Sequence, residues 1–103
     1  MKEGAIESKL CKELVDNNEW VVAAIKINKL GWPDRCLVLR GGIVVWVEFK
    51  KDCKKYTLTP AQKKIKHTLT NNGHYYILAD CAVGYRTLYE RLKETTLELY
   101  MPM

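Results

Sequence analysis

The pair Gly41-Gly42 does most to constrain how this chain can fold. It stands between two runs of apolar and β-branched residues, Arg35 to Arg40 and Ile43 to Lys50. Adjacent glycines reach the left-handed backbone conformations that tight turns need, so the two runs are expected to pair as an antiparallel hairpin. Side chains alternate along a strand. Ile43, Val45, Val47 and Phe49 therefore share one face, and Val44, Trp46, Glu48 and Lys50 share the other. The length of the loop then decides which residues meet. A two-residue turn pairs Arg40 with Ile43 and sets Arg35 opposite Glu48. A three-residue loop, Arg40-Gly41-Gly42, pairs Leu39 with Ile43 and sets Asp34 opposite Glu48. A β-bulge produces the same shift.

The flanking elements follow from periodicity and from cap and turn residues. Over residues 4–16, Ile6, Leu10, Leu14 and Val15 recur at helical spacing, and Asp16-Asn17-Asn18 ends the helix. Glu7 falls in line with Leu10, Cys11 and Leu14, where a carboxylate is costly unless it is paired or binds metal. Glu3 lies on the same line, close enough to the terminus to reach solvent. Trp20 to Ile27 reads as a strand. Thr59 is an N-cap, Pro60 suits the first helical turn, and Gln62 takes the capping-box position. That helix runs to about Thr70, where Asn71-Asn72-Gly73 stops it. His74 to Ala79 reads as a fourth strand. Residues 83–99 read as an amphipathic helix with Tyr85, Leu88, Leu92 and Leu99 inside. The order α-β-β-β-α-β-α predicts an α/β fold, a central mixed sheet flanked by helices, as one domain over residues 1–103.

Charge is concentrated rather than spread. The net charge is +5, yet residues 50–66 alone hold seven basic residues and one acid. Such a block attracts polyanions by counterion release, although a solvated loop and helix face is the commoner fate of a charge run. No apolar run reaches the ~18 residues that suggest a membrane span, and the N-terminus lacks a signal peptide's apolar region. A soluble, intracellular protein is expected. The four cysteines form no C-x-x-C pair, and His67 and His74 lack zinc-finger spacing, which argues against structural zinc. Cys11, Cys36 and Cys81 read as small core residues, and Cys53 as an exposed thiol in the basic loop.

Three features point to chemistry. Pro33-Asp34 opens one hairpin strand, Glu48-Phe49-Lys50 closes its partner, and Glu7 marks the apolar face of the first helix. Carboxylates converging on one spot repel each other, and a hard divalent cation resolves that conflict. Such a cation polarises a phosphoryl oxygen and acidifies bound water, and an adjacent lysine stabilises the attacking group. A metal site of this kind requires the three-residue loop or a bulge. Each residue also has a plainer reading. Lys50 can be a surface lysine and Glu48 the exit of a strand into solvent. Asp34 can be a turn residue, Gln62 only the capping-box partner of Thr59, and Glu7 an acid at a helix edge.

The wider pattern narrows the choice. It reads Gly31-Trp32-Pro33-Asp34, Trp46-Val47-Glu48-Phe49-Lys50, Leu58-Thr59-Pro60-Ala61-Gln62 and Asn72-Gly73-His74. This resembles the virus-type replication-repair nuclease (VRR-NUC) family, a branch of the PD-(D/E)xK nucleases, from about residue 4 to 92. The resemblance implies a restriction-endonuclease-like fold and Mg2+- or Mn2+-dependent phosphodiester cleavage of DNA. It assigns Asp34 and Glu48 as metal-binding carboxylates, Lys50 as the catalytic lysine and Gln62 as the supporting glutamine. Glu7 matches the family's glutamate on the first helix, and the Phe49 carbonyl joins the metal. Stand-alone members are expected to act as homodimers on branched DNA, four-way (Holliday) junctions first and flaps as the alternative. The cytoplasm or nucleoid is the expected location, and the small stand-alone form suits a phage-encoded protein in a bacterial host. Lys51, Lys54, Lys55 and Lys63 would contact the DNA backbone. Trp20, Trp32 and Trp46 read as packing residues, with Trp32, beside Pro33-Asp34, the one placed to stack a base. The competing classes are a non-catalytic nucleic-acid-binding module and a structural subunit that meets an acidic partner.

Overall fold

The computed structural model describes residues 3–50 and 58–80, together with Glu90 and Leu92. Loop 51–57, most of the helix expected over 83–99, and the tail Met101-Pro102-Met103 lie outside the described residues.

The first helix, α1 (Glu3–Asn17), buries Leu10, Cys11 and Leu14 at helical spacing. Its end is closed by side-chain amides that satisfy the last carbonyls: Asn17 Nδ2 donates to Glu13 O at 2.8 Å and Asn18 Nδ2 to Leu14 O at 3.0 Å. β1 (Val21–Lys26) is shorter than the apolar run that predicts it by one residue at each end. It pairs antiparallel with β2 (Arg35–Leu39), with a register shift between Val21 and Ala23. β2 pairs antiparallel with β3 (Ile43–Lys50), and Leu39 stands opposite Ile43. The hairpin loop is therefore the three residues Arg40-Gly41-Gly42, with Gly41 at φ +83° and Gly42 at φ +75°. Those angles disfavour any residue with a Cβ.

α2 (Pro60–Asn71) connects β3 to β4 (Tyr75–Asp80), which pair in parallel. A parallel pair needs such a crossover. The sheet order is β1-β2-β3-β4, with two antiparallel neighbours and one parallel. α2 begins with the expected capping box and ends where the Gly73 N–H donates to Thr70 O at 3.1 Å, Gly73 itself being at φ +83°.

Alternation gives the two faces of the sheet different work. One face carries Leu37, Leu39, Val45, Val47, Phe49, Ile77 and Ala79, and these pack with Leu10, Cys11, Leu14 and Leu92 as the core. The other carries Cys36, Trp46, Glu48 and Lys50, and looks toward α2. Cys36 is thus half-buried opposite Trp46 and outside the core, because its parity along β2 is opposite to that of Leu37. No helix among the described residues is long and apolar enough to cross a membrane.

Candidate active site

Pro33 is fully buried, and its ring fixes the backbone just before β2. Asp34 follows, half-buried and held twice. Its backbone carbonyl accepts the Ile27 N–H at 2.9 Å, and its Oδ2 accepts the Phe49 N–H at 2.8 Å. The ladder from Leu39–Ile43 to Arg35–Val47, continued by one residue, sets Asp34 opposite Glu48. The hydrogen bond to Phe49 N–H confirms that Asp34 reaches across to this end of β3.

Glu48 is only 4% exposed. A carboxylate so enclosed is unfavourable without polar partners. Gln62 supplies one, its Nε2 donating to Glu48 Oε2 at 3.4 Å. The same amide serves the helix cap: Gln62 Oε1 accepts the Thr59 N–H at 2.9 Å, and Thr59 Oγ1 accepts the Gln62 N–H at 3.2 Å. The two readings of Gln62 are therefore one arrangement. The cap engages the amide oxygen, which leaves the NH2 group facing the carboxylate. Lys50 stands two residues beyond Glu48 on the same face, half-buried.

Glu7 is not brought to this pair. It is 7% exposed, and its Oε2 accepts from Arg35 Nε at 2.6 Å. Arg35 also donates from its terminal nitrogens to Ala24 O at 3.2 Å and Ser8 Oγ at 3.3 Å. The reason is parity. Arg35 shares the α1 face with Leu37 and Leu39, whereas Asp34 points to the α2 face. Sequence reasoning missed Arg35 as the partner of Glu7. Part of the signal was present, since Arg35 has the parity of Leu37 and Leu39 and so projects a charge toward the core, where it needs acceptors, a carboxylate best of all. Among the described residues, no cluster of three or more His, Cys, Asp or Glu side chains could hold a metal ion, so the carboxylate pair stands without Glu7.

An aromatic group borders the pair. Trp46, 8% exposed, donates its Nε1–H to His74 Nδ1 at 2.9 Å, and the two rings stack with centroids 6.3 Å apart. Trp32 meets Trp46 edge to face at 5.4 Å. The Lys29 ammonium lies 4.9 Å from the centre of the Trp32 ring. On α2, Lys63 is exposed and adjoins Gln62 in sequence, while Lys51, Lys54 and Lys55 lie outside the described residues.

Two solved structures follow the same path. One, described as a VRR_NUC domain, superposes with a TM-score of 0.62 at 21% identity, covering 96% of this chain and 97% of that one. A second, a VRR_NUC domain protein, gives a TM-score of 0.67 at 18% identity, covering 93% of this chain and 88% of that one. The chain has the fold of a VRR_NUC domain. No family model matches it, and no curated protein matches its sequence. At these identities the likeness lies in the backbone path. Within this VRR_NUC fold, the hairpin β2–β3 and the start of α2 together position Asp34, Glu48 and Gln62.

Proposed function

We propose that this chain is a divalent-metal-dependent DNA endonuclease that hydrolyses phosphodiester bonds in branched DNA, four-way junctions foremost. The observation that carries this reading is the three-residue loop, which sets Asp34 opposite Glu48 with Gln62 on Glu48 and Lys50 on the same face. The donor set fits Mg2+ or Mn2+. These hard cations take oxygen ligands, and Mg2+ typically binds one or two carboxylates while keeping waters and substrate phosphate. Asp34 and Glu48 would hold the ion. In an extended strand the N–H and C=O of one residue point to the same neighbour, so the Phe49 carbonyl faces the side from which Asp34 accepts its N–H. That carbonyl is the third protein oxygen in this reading. When bound, the cation supplies a Lewis acid for the phosphoryl oxygen and acidifies water.

The protein's own groups do the rest. Lys50 places a positive charge beside the carboxylates, where charge develops on the phosphate and the attacking oxygen needs orientation. Gln62, fixed by the Thr59 cap, holds the Glu48 carboxylate in one orientation. Glu7 acts at second hand: it fixes Arg35, the residue after Asp34, and so anchors the start of β2. Lys63, with Lys51, Lys54 and Lys55, supplies phosphate contacts that position DNA without reading its sequence. A two-fold homodimer would present two such sites to the symmetric arms of a junction.

The test is cleavage of a labelled synthetic four-way junction in Mg2+, Mn2+ or EDTA, with linear duplex and a 5′ flap in parallel. Metal-dependent cutting that is lost in Lys50→Ala supports the reading, and the order of substrates ranks junction against flap. Salt-sensitive binding with no cutting of any substrate would replace it with a non-catalytic DNA-binding module.

A further inference from the structure

We propose that Trp32 is a stacking platform for one unpaired nucleobase beside the bond that is cut, so that the site takes DNA in which a nucleotide has left the helical stack. The proposal rests on the nuclease reading for its location, since Trp32 precedes Asp34 by two residues and lies against Trp46, which precedes Glu48 by two on the face of the carboxylates. Consecutive Cα atoms are about 3.8 Å apart, so the backbones of Trp32 and Asp34 are within about 7.6 Å.

Three features distinguish this ring from one that serves packing alone. Trp32 is half-buried, and what lies over its face is the ammonium of Lys29, an exposed residue. Lys29 is exposed, so its ammonium reaches the ring from the solvent side. Behind it the support is rigid. Trp46 is buried, meets Trp32 edge to face, and is tied to His74 by its indole N–H. The Trp46 Nε1–H donates to His74 Nδ1 and those two rings stack, so with Trp32 the three rings form one fixed wall. A base arriving at Trp32 displaces Lys29 from the ring. An exposed cation–π contact is weaker than a base–aromatic stack, so the exchange is favourable. Lys29, on its flexible stem, then stays within reach of the same nucleotide's phosphate. Bases inside a duplex are already stacked, which makes the platform selective for tails, flaps and the opened centre of a branch.

The experiment uses the full chain in EDTA, where nothing is cut, with a duplex bearing a single-stranded tail. 2-Aminopurine is placed at successive tail positions, and a blunt duplex of the same length serves as reference. The expected result is quenching of 2-aminopurine at one tail position by the native protein. Trp32→Leu should lose that quenching and bind tailed DNA about 5- to 150-fold more weakly, the range set by one base stack, with blunt-duplex affinity unchanged. Trp32→Phe should recover most of it. No quenching at any position, or native affinity for the tail in a folded Trp32→Leu protein, overturns the proposal. If Trp32→Leu does not fold by circular dichroism, the native quenching and Trp32→Phe decide. Cleavage of the same DNA in Mg2+ is read separately. Quenching without cleavage keeps the platform and removes the nuclease reading, and cleavage without quenching does the reverse.

Discussion

Separating Glu7 from Arg35 should destabilise the protein more than almost any other single change. The Glu7 and Arg35 side chains are 9% and 11% exposed, and their charged atoms are 2.6 Å apart. Removing one partner of such a pair leaves a buried charge without compensation, at about 3–5 kcal/mol. A domain of this size is stable by about 5–15 kcal/mol, so Glu7→Leu or Arg35→Met alone removes a large share of it. At about 4 °C or more per kcal/mol, the melting temperature should fall by at least about 12 °C. The double variant Glu7→Leu/Arg35→Met replaces the pair with apolar groups and should return to within about 2 kcal/mol of the native protein. The remaining deficit comes from Ala24 O and Ser8 Oγ, which both lose their bonds from Arg35, about 1 kcal/mol each. Urea unfolding followed by circular dichroism measures all four proteins, and the double-mutant cycle isolates the coupling. Single variants within 1 kcal/mol of native, or a double variant as unstable as the sum of the singles, would refute the pairing and return Glu7 to the pool of candidate metal ligands.

The capping box joins stability to the site, and its two bonds can be separated by urea unfolding and initial rates. Thr59→Ala removes the acceptor of the Gln62 backbone N–H and should cost about 1 kcal/mol, with cleavage little changed in the folded protein because the backbone N–H that holds Gln62 Oε1 stays. Gln62→Ala also removes the bond to Glu48 and should lower cleavage. Burial pushes the Cys36 thiol above its ordinary value, so alkylation at neutral pH, followed by mass spectrometry, should be slower than for an unfolded cysteine. The linked effect on stability has a definite sign. The folded state keeps the proton longer than the unfolded state, so this residue's contribution falls as pH rises through the unfolded thiol value, and a Cys36→Ser protein should lack that step in an alkaline titration of stability.

Much of this architecture was legible because local signals agreed with each other. Gly41-Gly42, the alternation of Ile43 to Lys50, and Thr59-Pro60 with Gln62 each fix a boundary by steric or hydrogen-bonding rules, and the observed elements begin and end within a residue or two of those marks. The hairpin register was conditional on loop length, and that choice alone carries Asp34 to the face of Glu48. Glu7 shows where one-dimensional reading stops. Its place on an apolar stripe required a partner, but choosing between Arg35 and a metal depends on which face of the sheet α1 covers, a tertiary fact. Cys36 was misplaced for the same reason, since an apolar neighbourhood in sequence says nothing about parity. The hydrogen bond from Trp46 to His74 joins residues 28 apart through a parallel strand pair, and no local pattern announces it.

In the proposed function Asp34 and Glu48, and not Glu7, hold a divalent cation. Titration of Mn2+ followed by its electron paramagnetic resonance signal tests this without reference to any DNA substrate. Asp34→Asn and Glu48→Gln should each weaken Mn2+ binding at least about 10-fold, as loss of a charged ligand should at an oxygen-only site, while a folded Glu7→Gln protein should bind as the native one does. Native-like Mn2+ binding by Asp34→Asn and Glu48→Gln, or its loss in Glu7→Gln alone, would overturn that assignment.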